Sequence, residues 1–360
     1  MINTVPTTDH DAGRHRVRTA IIVASLLVAA AGSILLLTSG PSEQATTAGV
    51  TATLHLPESP DFALVTPRGL WVSTHGSAAK QNTALSGELL HINPATGTAE
   101  QTVPLSGMSS NLAQDGNRLI ADPAIAGTST AGAAPGELIA LDTRTGRVLA
   151  RRPQPITGGP MAAGDGALWE IQEQYARTPT TLLELNPTTL APIAPPLVLS
   201  PTSGVHALAW GGEDLWASDD AGEVLRIDPA TRTITRAHVG GYLIGIVLAG
   251  NSVWVIDNSN ATVKRLKPST MAVIGEPVPI PSGENFYLGA TDGYVFIAND
   301  SNGTVTRIDT RTGQSTGVPI RIAPASTIGY GSAYAIAPAG NAVWATSPTS
   351  DTISRIEAKP

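Results

Sequence analysis

The sequence predicts an all-β fold, a seven-bladed β-propeller carried behind one transmembrane helix. Three observations predict it. A unit built on a short apolar run with one large hydrophobic side chain recurs seven times after about residue 51. Each unit continues into a strand, which in most units enters a tight turn of the Asn-Pro-Ala-Thr-Gly or Asp-Thr-Arg-Thr-Gly kind. The chain holds 36 Gly and 28 Pro but only 14% charged residues, a composition of short strands and tight turns rather than long solvated helices.

The elements before the repeat come first. Residues 1–18 form a tail carrying Arg14, Arg16 and Arg18. Residues 19–38 (TAIIVASLLVAAAGSILLLT) are uncharged and apolar, and about 20 such residues are what a helix needs to cross the hydrocarbon core. No Lys or Arg follows until Arg68, and that asymmetry is expected to keep the N-terminus in the cytoplasm and to export the rest as a single-pass membrane protein. A cleavable signal peptide is the alternative, and it would make the propeller a secreted one. Such peptides have apolar regions of about 7–15 residues with a small-x-small site close behind. Here the run is longer, and the best match, Thr46 and Ala48, lies well beyond it. Residues 39–50 (SGPSEQATTAGV) are small and polar, a flexible linker that spans at most about 40 Å when extended.

Residues 51–360 carry the repeat. The second strands read GLWVS from Gly69, NRLIAD from Asn117, ALWEI from Ala167, DLWAS from Asp214, SVWVID from Ser252, YVFIAND from Tyr294 and AVWATS from Ala342. Trp71, Ile120, Trp169, Trp216, Trp254, Phe296 and Trp344 hold one shared position, roughly 38 to 49 residues apart. That period, with four short strands to a unit, is a propeller blade. In the fourth unit the strands are expected at 205–210, 214–218, 223–228 and 233–239. In Asn93-Pro94-Ala95-Thr96-Gly97 the proline presets φ for a type I turn, and the glycine supplies the left-handed residue that returns the chain. A lone blade leaves both sheet faces bare, so apolar runs such as Leu243 to Val247 require neighbours on both sides. The seventh unit stops after its third strand, and Thr51 to Leu56 (TATLHL) resembles a fourth strand. It is expected to complete blade seven and so remove two unpaired edges.

The repeat G-x-x-V/L-W-V…G-x-V-x-R-I-D-P-x-T-G resembles the YVTN-type and virginiamycin B (streptogramin) lyase-like propellers over everything after the linker. The resemblance implies the fold. It implies function less sharply, because the signature residues are packing and turn residues and propellers host many activities. For the lyases it implies a His and Glu cluster with magnesium at the central channel, and the matching positions here lack it: Tyr242 and Asn285-Phe286-Tyr287 stand there, with Glu284 the only nearby acid.

The absence of Cys removes disulfides, thiolate metal sites, thiol nucleophiles and a lipidated cysteine anchor. A net charge of −7 gives no basic footprint for nucleic acid. No two of the seven histidines have metal-ligand spacing, so no metal site, cofactor or catalytic residue is assigned. His206 differs from the rest by opening an innermost strand beside the channel. Ser77 to Lys80 matches S-x-x-K but lacks its partner motifs, and it reads as chance. Asp257 to Asn260 and Asp300 to Gly303 read as hairpin turns. The Trp positions read as core, and Arg226, Arg265, Arg307 and Arg355 as pairs at the blade surface.

Loop length breaks the sevenfold pattern. Between second and third strands, units four to seven spend about 4 to 5 residues, whereas Ser73 to Gly87, Asp122 to Gly136 and Gln172 to Thr180 are longer and emerge at one end. Long loops on a rigid scaffold are where binding concentrates. The expected ligand-binding residues at that channel mouth are His206, Tyr242, Asn285 and Tyr287. The expected role is a monomeric binding or scaffolding module for an envelope protein, peptide or glycan, with a lyase-like enzyme of the central channel as the alternative. A sensor relaying through the helix is disfavoured by a tail too short to be a signalling domain.

Overall fold

The structure, a computed structural model, describes residues 47–75, 87–105, 107–124, 136–154, 158–172, 179–283, 285, 287–326 and 331–359. The expected tail, membrane segment and most of the linker lie outside the described residues, as do Glu284, Phe286, the S-x-x-K match and most of the three long loops. Among the described residues no helix is long and apolar enough to cross a membrane.

Seven antiparallel sheets follow one another along the chain. Blade four shows the pattern: Val205–Gly211, Asp214–Asp219, Glu223–Ile227 and Ile234–His238 pair in sequence order, within a residue or so of the expected bounds. In blade six the fourth strand is split into Gln314–Ser315 and Ile320–Arg321, both against the third strand. The first strand of each blade touches the first strands of its neighbours, including blade seven with blade one, so the ring is complete.

Closure uses the chain's own ends. Val50–His55 pairs with Thr352–Glu357, Val50 opposite Ile356 and His55 opposite Thr352, and it forms the outermost strand of blade seven. The expected closing strand is there, beginning one residue earlier. Leu54 and Ala52 pack with Trp344, Leu70 and Val72 between blades seven and one, so the closing strand also carries core.

The core falls into clusters, one at each blade junction. Trp71 packs on Leu119 and Ile139 of blade two, Trp169 on Leu215 and Leu225 of blade four, and Trp254 on Val295 and Ile308 of blade six. Ile120, Trp216, Phe296 and Trp344 do the same at the other junctions. Each repeat therefore buries its large side chain against the next blade. This is why the period is visible in sequence and why no blade is stable by itself.

The turns obey the expected chemistry. The amides of Ala95 and Gly97 donate to Asn93 Oδ1 and to the Asn93 carbonyl, and Gly97 sits at φ 72°. In three blades the left-handed position is not glycine but Leu190, Arg232 and Met271, at φ 57°, 59° and 57°. Leu190 and Met271 are core side chains and Arg232 bonds Glu184, contacts that offset the steric cost of the conformation. Asp257 to Asn260 and Asp300 to Gly303 are indeed connections between second and third strands, but each is a short 3₁₀ turn rather than a two-residue hairpin loop. Ala261 (φ 48°) and Gly303 (φ 66°) close them in the left-handed region.

Candidate functional site

The two ends of the ring differ. First strands begin, second strands end and third strands start at one end, the mouth of the central channel. The turns from first to second and from third to fourth strands lie at the other. Val50 and Glu357 also lie at that opposite end, where the Glu357 amide donates to the Gly49 carbonyl, so the chain enters the propeller away from the mouth. The strand ends His75, Gly87, Ala124, Gly136, Gln172 and Thr180 lie at the mouth.

The first strands of blades one to five do not run straight into the mouth. Each carries a bulge near its start, at Asp61-Phe62, Ser110, Gly159-Pro160, His206 and Ile244. A bulge adds a residue that the partner strand cannot match, and so it re-aims a side chain. His206 is such an extra residue, between the pairs Val205–Asp219 and Ala207–Ser218. In blade one Asp61 and Phe62 together face Ser73, whose hydroxyl accepts the Phe62 amide at 3.1 Å.

These strands wall a cavity of about 380 Å³ to which all seven blades contribute. Its lining side chains include the apolar Phe62, Leu112, Met161, Ile246 and Ile336 and the polar Asn111, His206 and Tyr287, and polar atoms make up about half of its surface. Two expected residues, His206 and Tyr287, therefore meet in one space. Tyr242 lies beside it, its ring 5.1 Å from that of His206. Asn285 is buried, and its amide donates to the carbonyls of Pro281 and Gly283, so it holds its own turn. His206 Nε2 lies 3.9 Å from Asp220 Oδ2, too far for a hydrogen bond.

A cluster absent from the sequence expectations adjoins the cavity. Phe62, Tyr287 and Tyr334 meet edge to face with ring centroids 4.8 to 5.6 Å apart, and the two hydroxyls are 3.4 Å apart. Asp61 Oδ1 lies 2.7 Å from His75 Nδ1, while Oδ2 is buried with no hydrogen-bond partner among the described residues. Burial holds the Asp61 carboxyl above the ordinary carboxylate range, and the hydrogen bond to Asp61 raises the His75 imidazole. Burial, with the negative field of Asp61 and Asp300 added, pushes Tyr287 up to about 12 and raises Tyr334 further. Both phenols keep their protons and can donate. The sequence offers no cue to Asp61 or Tyr334, since both lie in segments whose pattern reads as an ordinary strand and its approach.

Other expected candidates fall where packing places them. Arg226 donates to Asp214 at 2.7 Å and lies over Trp216, and Arg265 bonds Ser252 and lies over Trp254. Arg307 bonds Thr316 and lies over Tyr294, while Arg355 reaches Thr51 and Glu357. These arginines cap inter-blade core at the outer strands. A larger hollow of about 940 Å³ lies at the opposite end among turns, around the Asp214–Arg226 pair. It is a depression over connections, where Asp214 and Arg226 pair with each other. Among the described residues no three His, Asp or Glu side chains converge as a metal site would require.

The propeller architecture can be set beside solved structures. Virginiamycin B lyase from Staphylococcus aureus superposes with a TM-score of 0.64, covering 85% of this chain and 98% of that one at 15% identity. The chain shares that fold. The β-propeller domain of Cps50 (Swd1) from Myceliophteria thermophila shares it as well, with a TM-score of 0.59 over 86% of this chain and 99% of that domain at 12% identity. At such identities the likeness is one of architecture, and it bears out the propeller that the repeats predict. No protein-family model matches the chain. No curated protein matches it in sequence.

Proposed function

We propose that this propeller is a binding or scaffolding module held outside the cytoplasm by its N-terminal helix, and that it recognises a protein, peptide or glycan of the cell envelope at the channel mouth. The observation that carries this reading is the cavity to which every blade contributes, where the side chains of Asn111, His206 and Tyr287 converge among apolar neighbours. Entry of the chain at the opposite end supports it.

The test uses the full chain as bait for envelope peptides and glycans, beside Tyr287→Ala at the mouth and Asn251→Ala at the opposite end. Retention by wild type and Asn251→Ala, lost in Tyr287→Ala, supports the reading. Equal retention by all three overturns it. The chain has no cysteine. A single cysteine at Asn251 therefore tests the location: labelling of intact cells by a membrane-impermeant maleimide is expected, and protection until lysis contradicts export.

A lyase-like enzyme of the channel is the second reading, favoured by the Asp61–His75 hydrogen bond, an acid–base pair beside the cavity. Turnover of virginiamycin B abolished by His75→Ala would establish it.

A further inference from the structure

We infer that the hollow of about 940 Å³ at the end opposite the mouth is a second binding site, one that takes a neutral oligosaccharide. Arg226, Ser269 and Asp292 meet the sugar hydroxyls there. This site is independent of the reading of the mouth.

The first support is how the hollow arises. It is not a by-product of the sevenfold repeat, because only blades four to seven line it. In blades one and two the turns from first to second strand carry arginines that cross to the next blade. Arg68 Nη1 donates to the Arg144 carbonyl at 3.0 Å, and Arg118 Nε donates to the Thr188 hydroxyl. The corresponding turns of blades four to seven, at 211–214, 249–252, 290–293 and 339–342, hold no arginine or lysine, and the space among them stays open. Its volume lies near the upper end of the range of about 300–1,000 Å³ for ligand pockets, which leaves room for more than one sugar ring.

The second support is the chemistry of the lining. Arg226 is held in place: its Nε donates to Asp214 at 2.7 Å, and its guanidinium lies over Trp216. Its two terminal amino groups make no hydrogen bond among the described residues, so a planar set of donors stands oriented in advance. Ser269 of blade five and Asp292 of blade six line the same hollow, and both are exposed. Neither side chain has a hydrogen bond or ion pair among the described residues. Leu248, Pro268 and Pro338 add apolar surface. The charges decide the class of ligand. A carboxylate would answer Arg226 but meet Asp214 and Asp292, and an ammonium would answer Asp292 but meet Arg226; like charges brought together weaken binding. A hydroxyl both donates and accepts, so the hydroxyls of an uncharged sugar satisfy the guanidinium and the carboxylate alike.

The test measures binding to the immobilised full chain of neutral tetrasaccharides of glucose, mannose, galactose and N-acetylglucosamine. A tetragalacturonate and the deacetylated, cationic form of the N-acetylglucosamine tetramer complete the set. At least one neutral sugar is expected to bind, with an affinity that holds as salt rises. Asp292→Ala is expected to weaken it about tenfold, the loss of one hydrogen bond to a charged group. Ser269→Trp, which fills the hollow, is expected to abolish it. Arg311→Ala, in a turn at the same end but outside the hollow, is expected to leave it unchanged. Ser269 and Asp292 are exposed turn positions, so both variants are expected to melt with wild type, and should one melt early the other decides. No binding of any neutral sugar, equal or tighter binding of a charged one, or indifference to Asp292→Ala and Ser269→Trp overturns the inference. A sugar lost with Tyr287→Ala but indifferent to both variants belongs to the mouth; it overturns the second site while supporting the binding module.

Discussion

Asp61 and His75 are joined by a 2.7 Å hydrogen bond across the first hairpin of blade one, linking the bulged start of the innermost strand to the end of the second. The bond holds the bulge that turns Phe62 into the mouth. It also ties a buried carboxylate to the one residue of the pair that reaches solvent.

The pair makes stability depend on pH, and the sign follows from His75. Its folded pKa is raised above the ordinary 6.5 by the Asp61 hydrogen bond. Its contribution is therefore full below about pH 6.5 and is lost as pH rises through the raised value. The melting temperature is expected to fall between pH 6 and pH 9. In His75→Gln that part of the fall disappears. An NMR titration of His75 is expected to show a midpoint above 6.5 that returns toward it in Asp61→Asn.

Glu170 predicts a pH effect with a different window. Its carboxyl is fully buried at the junction of blades two and three, hydrogen-bonded by Gln154 and 3.6 Å from Arg152, and burial raises its pKa above 4.5. An acid raised in the folded state favours folding while protonated, so this contribution fades as pH climbs from the unfolded value through the folded one. Glu170→Gln is expected to match wild type near pH 4 and to exceed it at pH 8, as read by urea unfolding.

Closure of the ring predicts a stabilising cross-link. Thr53 and Ser354 face each other across the closing strand pair with hydroxyls 3.1 Å apart and a sequence separation of 301. A Thr53→Cys, Ser354→Cys protein is expected to oxidise without competing thiols and to raise the unfolding free energy by about 3–5 kcal/mol, the range for long closed loops. Leu54→Asp, which puts a charge into the core between blades seven and one, is expected to lower it.

The junction side chains predict a graded series. Trp254 is fully buried between blades five and six, and Trp254→Ala is expected to cost about 3–5 kcal/mol in chemical denaturation. Arg265, stacked on it with its charged carbon 5.3 Å from the ring centroid, is expected to cost about 0.5–1 kcal/mol as Arg265→Ala. A loss at Arg265 as large as at Trp254 would mean that the arginine, not the aromatic, holds the junction.

The blades, their order and the closing strand were legible without coordinates. The strands of blade four fall within a residue or so of their expected bounds, and the Asn93 turn has the expected left-handed glycine. Meeting of His206 and Tyr287 was also foreseeable, because both start innermost strands at the same end. Asn285 shows where such reasoning stops, since position in a repeat does not tell which way an amide turns once backbone carbonyls compete for it.

The sequence alone determined the sevenfold ring, because each blade must hide its faces and so repeats the same apolar and turn residues at a regular spacing. Tertiary structure alone decided the mouth. Asp61, Phe62, His206, Tyr287 and Tyr334 come from four blades, and bulges and ring closure bring them together. Those contacts are made once rather than once per repeat, so they leave no period to read.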